Sequence, residues 1–153
     1  MHPEHEKYMQ LALREAEKAG QKDEVPIGAV VVAPGGKILA SDHNRVITLD
    51  DPTGHAEILA LRRACRNIGN YRLLNTTIYV TVEPCIMCMG AIIHARLKCL
   101  VFGTADHKWG AVGSLYDFSA DSRLNHRIQV VAGVCEADCR ELMQSFFRTK
   151  RIK

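Results

Sequence analysis

The chain has 153 residues, of which 47% are hydrophobic and 24% charged, with six cysteines and a net charge of +3. That is the size and composition of one globular domain with its own core. Two classes drop out: no apolar run reaches the roughly 18 residues of a membrane-spanning helix, and the start, MHPEHEKYMQ, has no signal-peptide core. A reducing cytoplasm is therefore expected, with the cysteines as thiols or metal ligands instead of disulfides. The charge alone is too small to identify a nucleic-acid partner.

In chain order, residues 3–20 carry Tyr8, Leu11, Ala12, Ala16 and Ala19 on one stripe with charges opposite, which predicts an amphipathic helix stopped by Gly20. Residues 26–32 are an apolar, β-branched run and read as a buried strand. Pro34-Gly35-Gly36-Lys37 is a turn, and residues 38–43 return as the second strand of a hairpin. A polar loop, 44–53, leads into a helix carrying His55 and Glu57, with Thr53 as its N-cap and its end near Gly69. Arg62, Arg63 and Arg66 lie on that helix and read as a solvated face before they read as an RNA contact.

Residues 77–82 form a third strand that runs straight into Glu83-Pro84 and a helix over 85–96. That helix is apolar nearly all round, so it is expected in the core or in a subunit contact. Residues 99–102 and 128–134 are the fourth and fifth strands, separated by a loop, 103–125, of a length that usually marks function. Residues 136–153 form a last helix with Cys139, Leu142, Met143 and Phe146 facing the core. Cys135 and Cys139 read as buried small side chains, not as a second metal pair. The ending, Arg148-Thr149-Lys150-Arg151-Ile152-Lys153, has four cations in six residues. Beside it Phe147 is expected to be exposed, and an aromatic next to cations suits unpaired bases. Alternating strands and helices predict a single α/β domain, a five-stranded mixed sheet with helices on both faces.

Chemistry concentrates in His55-Ala56-Glu57 and Pro84-Cys85-Ile86-Met87-Cys88. One imidazole and two thiols make three zinc ligands. Three protein ligands leave tetrahedral zinc an open position, the arrangement of a catalytic site; a water there has its pKa lowered toward neutrality. Glu57, two residues beyond His55, stands beside the metal and handles protons. A helix start after Pro84 favours thiolate at the cysteines. A lone Cys-x-x-Cys is also a redox pair in other settings. A structural zinc would want a fourth ligand, for which Cys65 and Cys99 lack paired spacing.

With those residues placed, the chain resembles the bacterial tRNA-specific adenosine deaminases of the zinc-dependent deaminase superfamily over nearly its whole length. The resemblance is carried by Val25-Pro26-Ile27-Gly28-Ala29, Asn44-Arg45, Asp51-Pro52-Thr53-Gly54-His55-Ala56-Glu57, Asn70-Tyr71-Arg72-Leu73 and Glu83-Pro84-Cys85-Ile86-Met87-Cys88. Phe102-Gly103, Asp106, Lys108, Gly110-Ala111, Gly113-Ser114-Leu115, Asn125-His126-Arg127 and Phe146-Phe147-Arg148 extend it. The chain departs from the family at Trp109, which is bulkier than expected, and at Thr104.

The resemblance implies a three-layer α-β-α deaminase fold, one zinc per subunit on His55, Cys85 and Cys88, and a homodimer. It also implies conversion of the wobble adenosine of a tRNA anticodon stem-loop to inosine. Glu57 would shuttle the protons, and the Ala56 backbone N–H and the Asn44 amide would hold the base. Asp106, Asn125, His126 and Arg148 would hold the splayed anticodon loop. Two rivals share the motifs: a guanine or cytidine-type deaminase acting on a free base or nucleoside, and an inactive zinc-stabilised RNA-binding subunit. Glu57 argues against the second.

Overall fold

The computed structural model describes residues 3–152, with side-chain surroundings for residues 3–150. The elements are α1 (Pro3–Gln21), β1 (Gly28–Val32), β2 (Ile38–His43), α2 (Ala56–Ile68), β3 (Thr77–Val82), α3 (Ile86–His94), β4 (Cys99–Thr104), β5 (Gln129–Val131) and α4 (Glu136–Ile152). The five strands form one sheet in the order β2-β1-β3-β4-β5. β1 pairs antiparallel with both β2 and β3, whereas β3, β4 and β5 run parallel. The central strands are buried on both faces and read accordingly as apolar or β-branched runs, Gly-Ala-Val-Val-Val in β1 and Thr-Ile-Tyr-Val-Thr-Val in β3.

Alternate strand residues feed two cores, as a pleated sheet requires. On one face Val31, Ile78, Val80, Leu100 and Phe102 pack with Leu61 of α2 and Met89 and Ile92 of α3. On the other, Val30, Val32, Tyr79 and Val101 pack with Met9 and Leu13 of α1 and Cys139 of α4. The result is the expected three-layer α-β-α sandwich. α1 approaches β1 so closely that a Cβ on Gly28 would run into the backbone of Ala12.

This topology positions the two motifs. β2 and β3 are each antiparallel to β1, so they point the same way. The loop to α2 leaves the C-terminal end of β2, and α3 leaves the C-terminal end of β3. Both helices therefore start at one edge of the sheet, the edge at which open α/β sheets bind ligands. The long segment after β4 leaves from that edge as well.

Several local expectations are corrected. Thr53 is not the N-cap of α2: its N–H and hydroxyl both donate to Asp51 Oδ1. The cap position falls to His55, in extended backbone at φ −74°, ψ 152°. Cys85 likewise caps α3 instead of lying within it, and the helix ends at His94 with Arg96 turning left-handed at φ 63°. β1 starts at Gly28, not at residue 26, β4 runs on to Thr104, and β5 shortens to Gln129–Val131. In α4 Cys139 is fully buried, while Leu142, Met143 and Phe146 are half-buried, because the helix covers the sheet only by its first turns. The end of α2 is as expected, with Gly69 left-handed and its N–H returning to Cys65 O.

Candidate active site

The imidazole and the two thiols converge. His55 Nδ1 lies 3.7 Å from Cys85 Sγ and 3.5 Å from Cys88 Sγ, and the three donor atoms are all within 4.8 Å of one another. Nitrogen about 2.0 Å and sulfur about 2.3 Å from a tetrahedral zinc would be about 3.5 Å apart. The spacing is thus that of ligands around one ion. Local structure explains the convergence. His55 and Cys85 are the residues just outside two helices, where extended backbone turns the side chain toward the helix end. Cys88 follows within the first turn of α3 and is fully buried. The His55 imidazole makes no side-chain bond to its own helix, and the Cys85 sulfur meets Cys88 in the first turn of α3, so the three donor atoms face one another.

Protonation in this pocket is strongly shifted. A hydrogen bond from the Cys88 thiol, with His55 next to it, holds Cys85 down at about 4 despite burial. Cys88 moves the opposite way, because it donates to Cys85 and is buried. His55 is raised, chiefly by its hydrogen bond with Cys85. One thiol proton is therefore shared between two sulfurs, and a metal binding there would release it. Glu57, in the first turn of α2, is 4% exposed. Burial pushes its carboxyl up to about 7, where it can both accept and give a proton near neutrality.

The base-contact expectations fall at the same edge. Ala56 is the first residue of α2, where a backbone N–H has no acceptor within the helix. Asn44 is buried at the end of β2. Its Nδ2 donates to Val25 O at 3.4 Å, and its Oδ1 is buried with no partner among the described residues.

The outer residues are more dispersed. Asp106 Oδ1 accepts from the N–H groups of Lys108 and Trp109. Asn125 is exposed. His126 Nε2 is bonded to Leu97 O, so it ties the long segment to the start of β4. Arg148 is paired with Glu141 at 2.9 Å and Lys150 with Asp23 at 3.1 Å. The expected exposure of Phe147 holds at 43%; the side chains of Arg151 to Lys153 lie outside the described residues.

Two buried carboxylates that the motifs did not mark hold the loops beside this pocket. Glu24, 1% exposed, accepts from Ile47 N–H and from the N–H and hydroxyl of Thr48. Burial would raise it, but these bonds hold it below the usual carboxylate range. Glu83, 4% exposed, accepts from the N–H groups of Asp106, Val112 and Ser114 and from the Ser114 hydroxyl. Against the pull of burial these bonds keep it low too. A further grouping, Glu15, Asp42 and His43, is already engaged by cations: Lys18 lies on Glu15 at 2.6 Å and Arg45 on Asp42 at 2.9 Å.

Comparison with known proteins agrees with this geometry. Residues 3–151 match the MafB19-like deaminase family. A tRNA-specific adenosine deaminase of Haemophilus influenzae is 49% identical over 95% of this chain and 84% of its own length. One from Bacillus subtilis is 45% identical over 97% of the chain and 91% of its own length. A solved structure from a study of A-to-I editing by tRNA:A34 deaminases at the wobble position superposes with a TM-score of 0.86. It is 44% identical and covers 89% of this chain and 98% of that one. The chain belongs to the deaminases, in the tRNA-specific adenosine deaminase family.

Proposed function

We propose that the chain hydrolyses the wobble adenosine of a tRNA anticodon to inosine, releasing ammonia, with one zinc ion on His55, Cys85 and Cys88. The observation that carries the reading is the spacing of one imidazole and two thiols around a single point, with a buried carboxyl near neutral pKa two residues from the imidazole. Zinc held there supplies the Lewis acidity that makes water nucleophilic near neutral pH.

The chain's own groups do the rest. Ala56 N–H and the unpartnered Asn44 Oδ1 grip the edge of the extruded base and set carbon 6 toward the metal side of the pocket. The Glu57 carboxylate takes a proton from the attacking water and delivers it to ring nitrogen 1. It then carries the second proton to the departing amine, so adenosine and water become inosine and ammonia. One carboxyl serves both directions because its role reverses after attack.

Asp106, Asn125, His126 and Arg148 hold the splayed loop. The ion pairs of Arg148 and Lys150 lie at the surface, where such pairs contribute little, so either cation is free to exchange its partner for a phosphate. The functional unit is a homodimer. α3 leaves Ile86 50% exposed and open space over Gly90, an apolar face suited to a second copy. Among the described residues no helix is long and apolar enough to cross a membrane, and tRNA as substrate suits a cytoplasmic protein.

The test is incubation of the purified protein with an anticodon stem-loop carrying a wobble adenosine, beside free adenosine, guanine and cytidine. Inosine in the stem-loop is expected. Conversion of a free base or nucleoside with the stem-loop untouched would transfer the reading to a small-molecule deaminase, and no conversion at all would leave only a binding role.

A further inference from the structure

We infer that Glu83 is a positioning residue for the substrate: its buried carboxylate locks residues 105–115 into a preformed wall beside the donor pocket and so sets how tightly an RNA loop is held. The segment contains no helix or strand, and Trp109 and Leu115 are 58% and 53% exposed. Its own turns and the buried Ala111 and Val112 anchor it locally, and one acceptor draws its two ends together. Asp106 N–H reaches Glu83 Oε1 at 3.0 Å, while Val112 and Ser114 N–H reach Oε2 at 2.9 and 3.1 Å. The Ser114 hydroxyl completes the set. Hydrogen bonds to an ionised acceptor are the strong kind. Gly110 is pressed so close that a Cβ there would overlap the carboxylate, and the same glycine bridges to Cys85 while Ala111 N–H donates to Pro84 O. The wall is thereby fastened to the N-terminus of α3, directly beside a metal donor. The loop's own polar groups, including Asp106, stand at defined places before any substrate arrives.

The inference rests on the reading of the chain as an RNA deaminase, and it separates binding from chemistry. Freeing the wall leaves His55, Glu57, Cys85 and Cys88 in place but lowers the fraction of molecules with a competent loop. Apparent affinity falls in proportion to that fraction. Glu83→Gln keeps the side-chain length but replaces one acceptor with an amide N–H facing backbone donors.

In this variant KM for the anticodon stem-loop is expected to rise about tenfold, with kcat changed less than about threefold and zinc content retained. Hydrogen exchange, measured without RNA, should show faster exchange at the amides of Asp106, Val112 and Ser114. Ser114→Ala, which removes a single bond at an exposed residue, should move the same amides and KM by a smaller amount in the same direction. It serves as the test if Glu83→Gln does not fold.

An unchanged KM together with unchanged exchange overturns the inference, and so does a loss confined to kcat or paralleling loss of zinc. A parent enzyme that makes no inosine in the stem-loop would instead fail the functional reading, and the exchange data would still judge the wall.

Discussion

The donor pocket and the surface assigned to RNA are built on opposite plans. The pocket draws four side chains from the starts of two helices. Cys88 and Glu57 are buried, the three donors are mutually in range, and the donors shift one another's protonation. The residues proposed to face RNA are spread over a long connecting segment and the last helix. Where they are engaged, their partners are other parts of the protein: Asp106 with its own loop, His126 with Leu97, Arg148 with Glu141. Chemistry needs atoms held to fractions of an ångström, so it is preorganised by helix ends and burial. Recognition of a flexible RNA loop is assembled from exchangeable surface contacts, each weak.

The contrast predicts that single changes in the pocket are decisive and single changes outside it are graded. The largest effect is expected for Glu57→Ala. A positioned acid–base group is worth about 10²–10⁴-fold, and this residue serves several transfers, so turnover should fall by about 10⁴-fold or more. Zinc content and stem-loop affinity should stay near the parent's, because the proton shuttle acts in the transition state. A variant retaining a tenth of parent turnover would place the base elsewhere.

Next comes Cys88→Ser. It removes a buried thiolate donor, and elemental analysis of protein purified without added metal should drop from about one zinc per chain to well below half. Full zinc occupancy in the variant would break the ligand assignment. Glu24→Gln lies between the two regions. Weakening the hydrogen bonds to a buried, ionised acceptor costs about 1–3 kcal/mol, to be measured by denaturant unfolding.

Its pH dependence has a definite sign. The folded pKa is depressed below 4.5, so the stabilisation is full above that pH and drains as pH falls through the folded value. The gap between parent and variant should therefore be constant near neutrality and close in acid. A gap that widened in acid would contradict the hydrogen-bonded carboxylate.

The smallest effect is expected at the surface. Truncation after Phe147 removes Arg148 and Lys150 with their exchangeable pairs. The log–log slope of stem-loop affinity against salt should become shallower by about 0.7 for each single-strand phosphate that is no longer neutralised. Zinc content should not change. An unaltered slope would restrict the RNA footprint to the loop walls.

The same division governs what the amino-acid sequence discloses. The donors are legible because few residue types bind zinc and two of them sit three apart, and the layers are legible because β1, β3 and β4 are dominated by apolar and β-branched residues. Glu83 is not. Its partners are backbone N–H groups 23 to 31 residues away, and a backbone donor carries no mark in a sequence. A buried-strand run ending in a carboxylate, Val82-Glu83, is the available signal, since such a charge must be met by several donors. Thr53 misleads because two roles compete for it: Asp51, two residues earlier, captures its donors and passes the cap to His55. Residues 103–125 read as unstructured for the same reason that hides Glu83, and α4 reads as more deeply buried than it is because periodicity reports a face, not how far the sheet extends beneath it.

The mixed directions of the strands also bear on how the chain would acquire the proposed zinc. Cys85 and Cys88 are neighbours along the chain and can meet in the first turn of a nascent helix. His55 is 30 residues away and comes into range only when β3 has paired with the β1–β2 hairpin, a pairing of long sequence separation that forms slowly. A chain folding in the presence of zinc thus offers two sulfurs early and a nitrogen late. Capture by the pair alone would precede native binding, and the rate at which the third ligand arrives reports closure of the antiparallel half of the sheet.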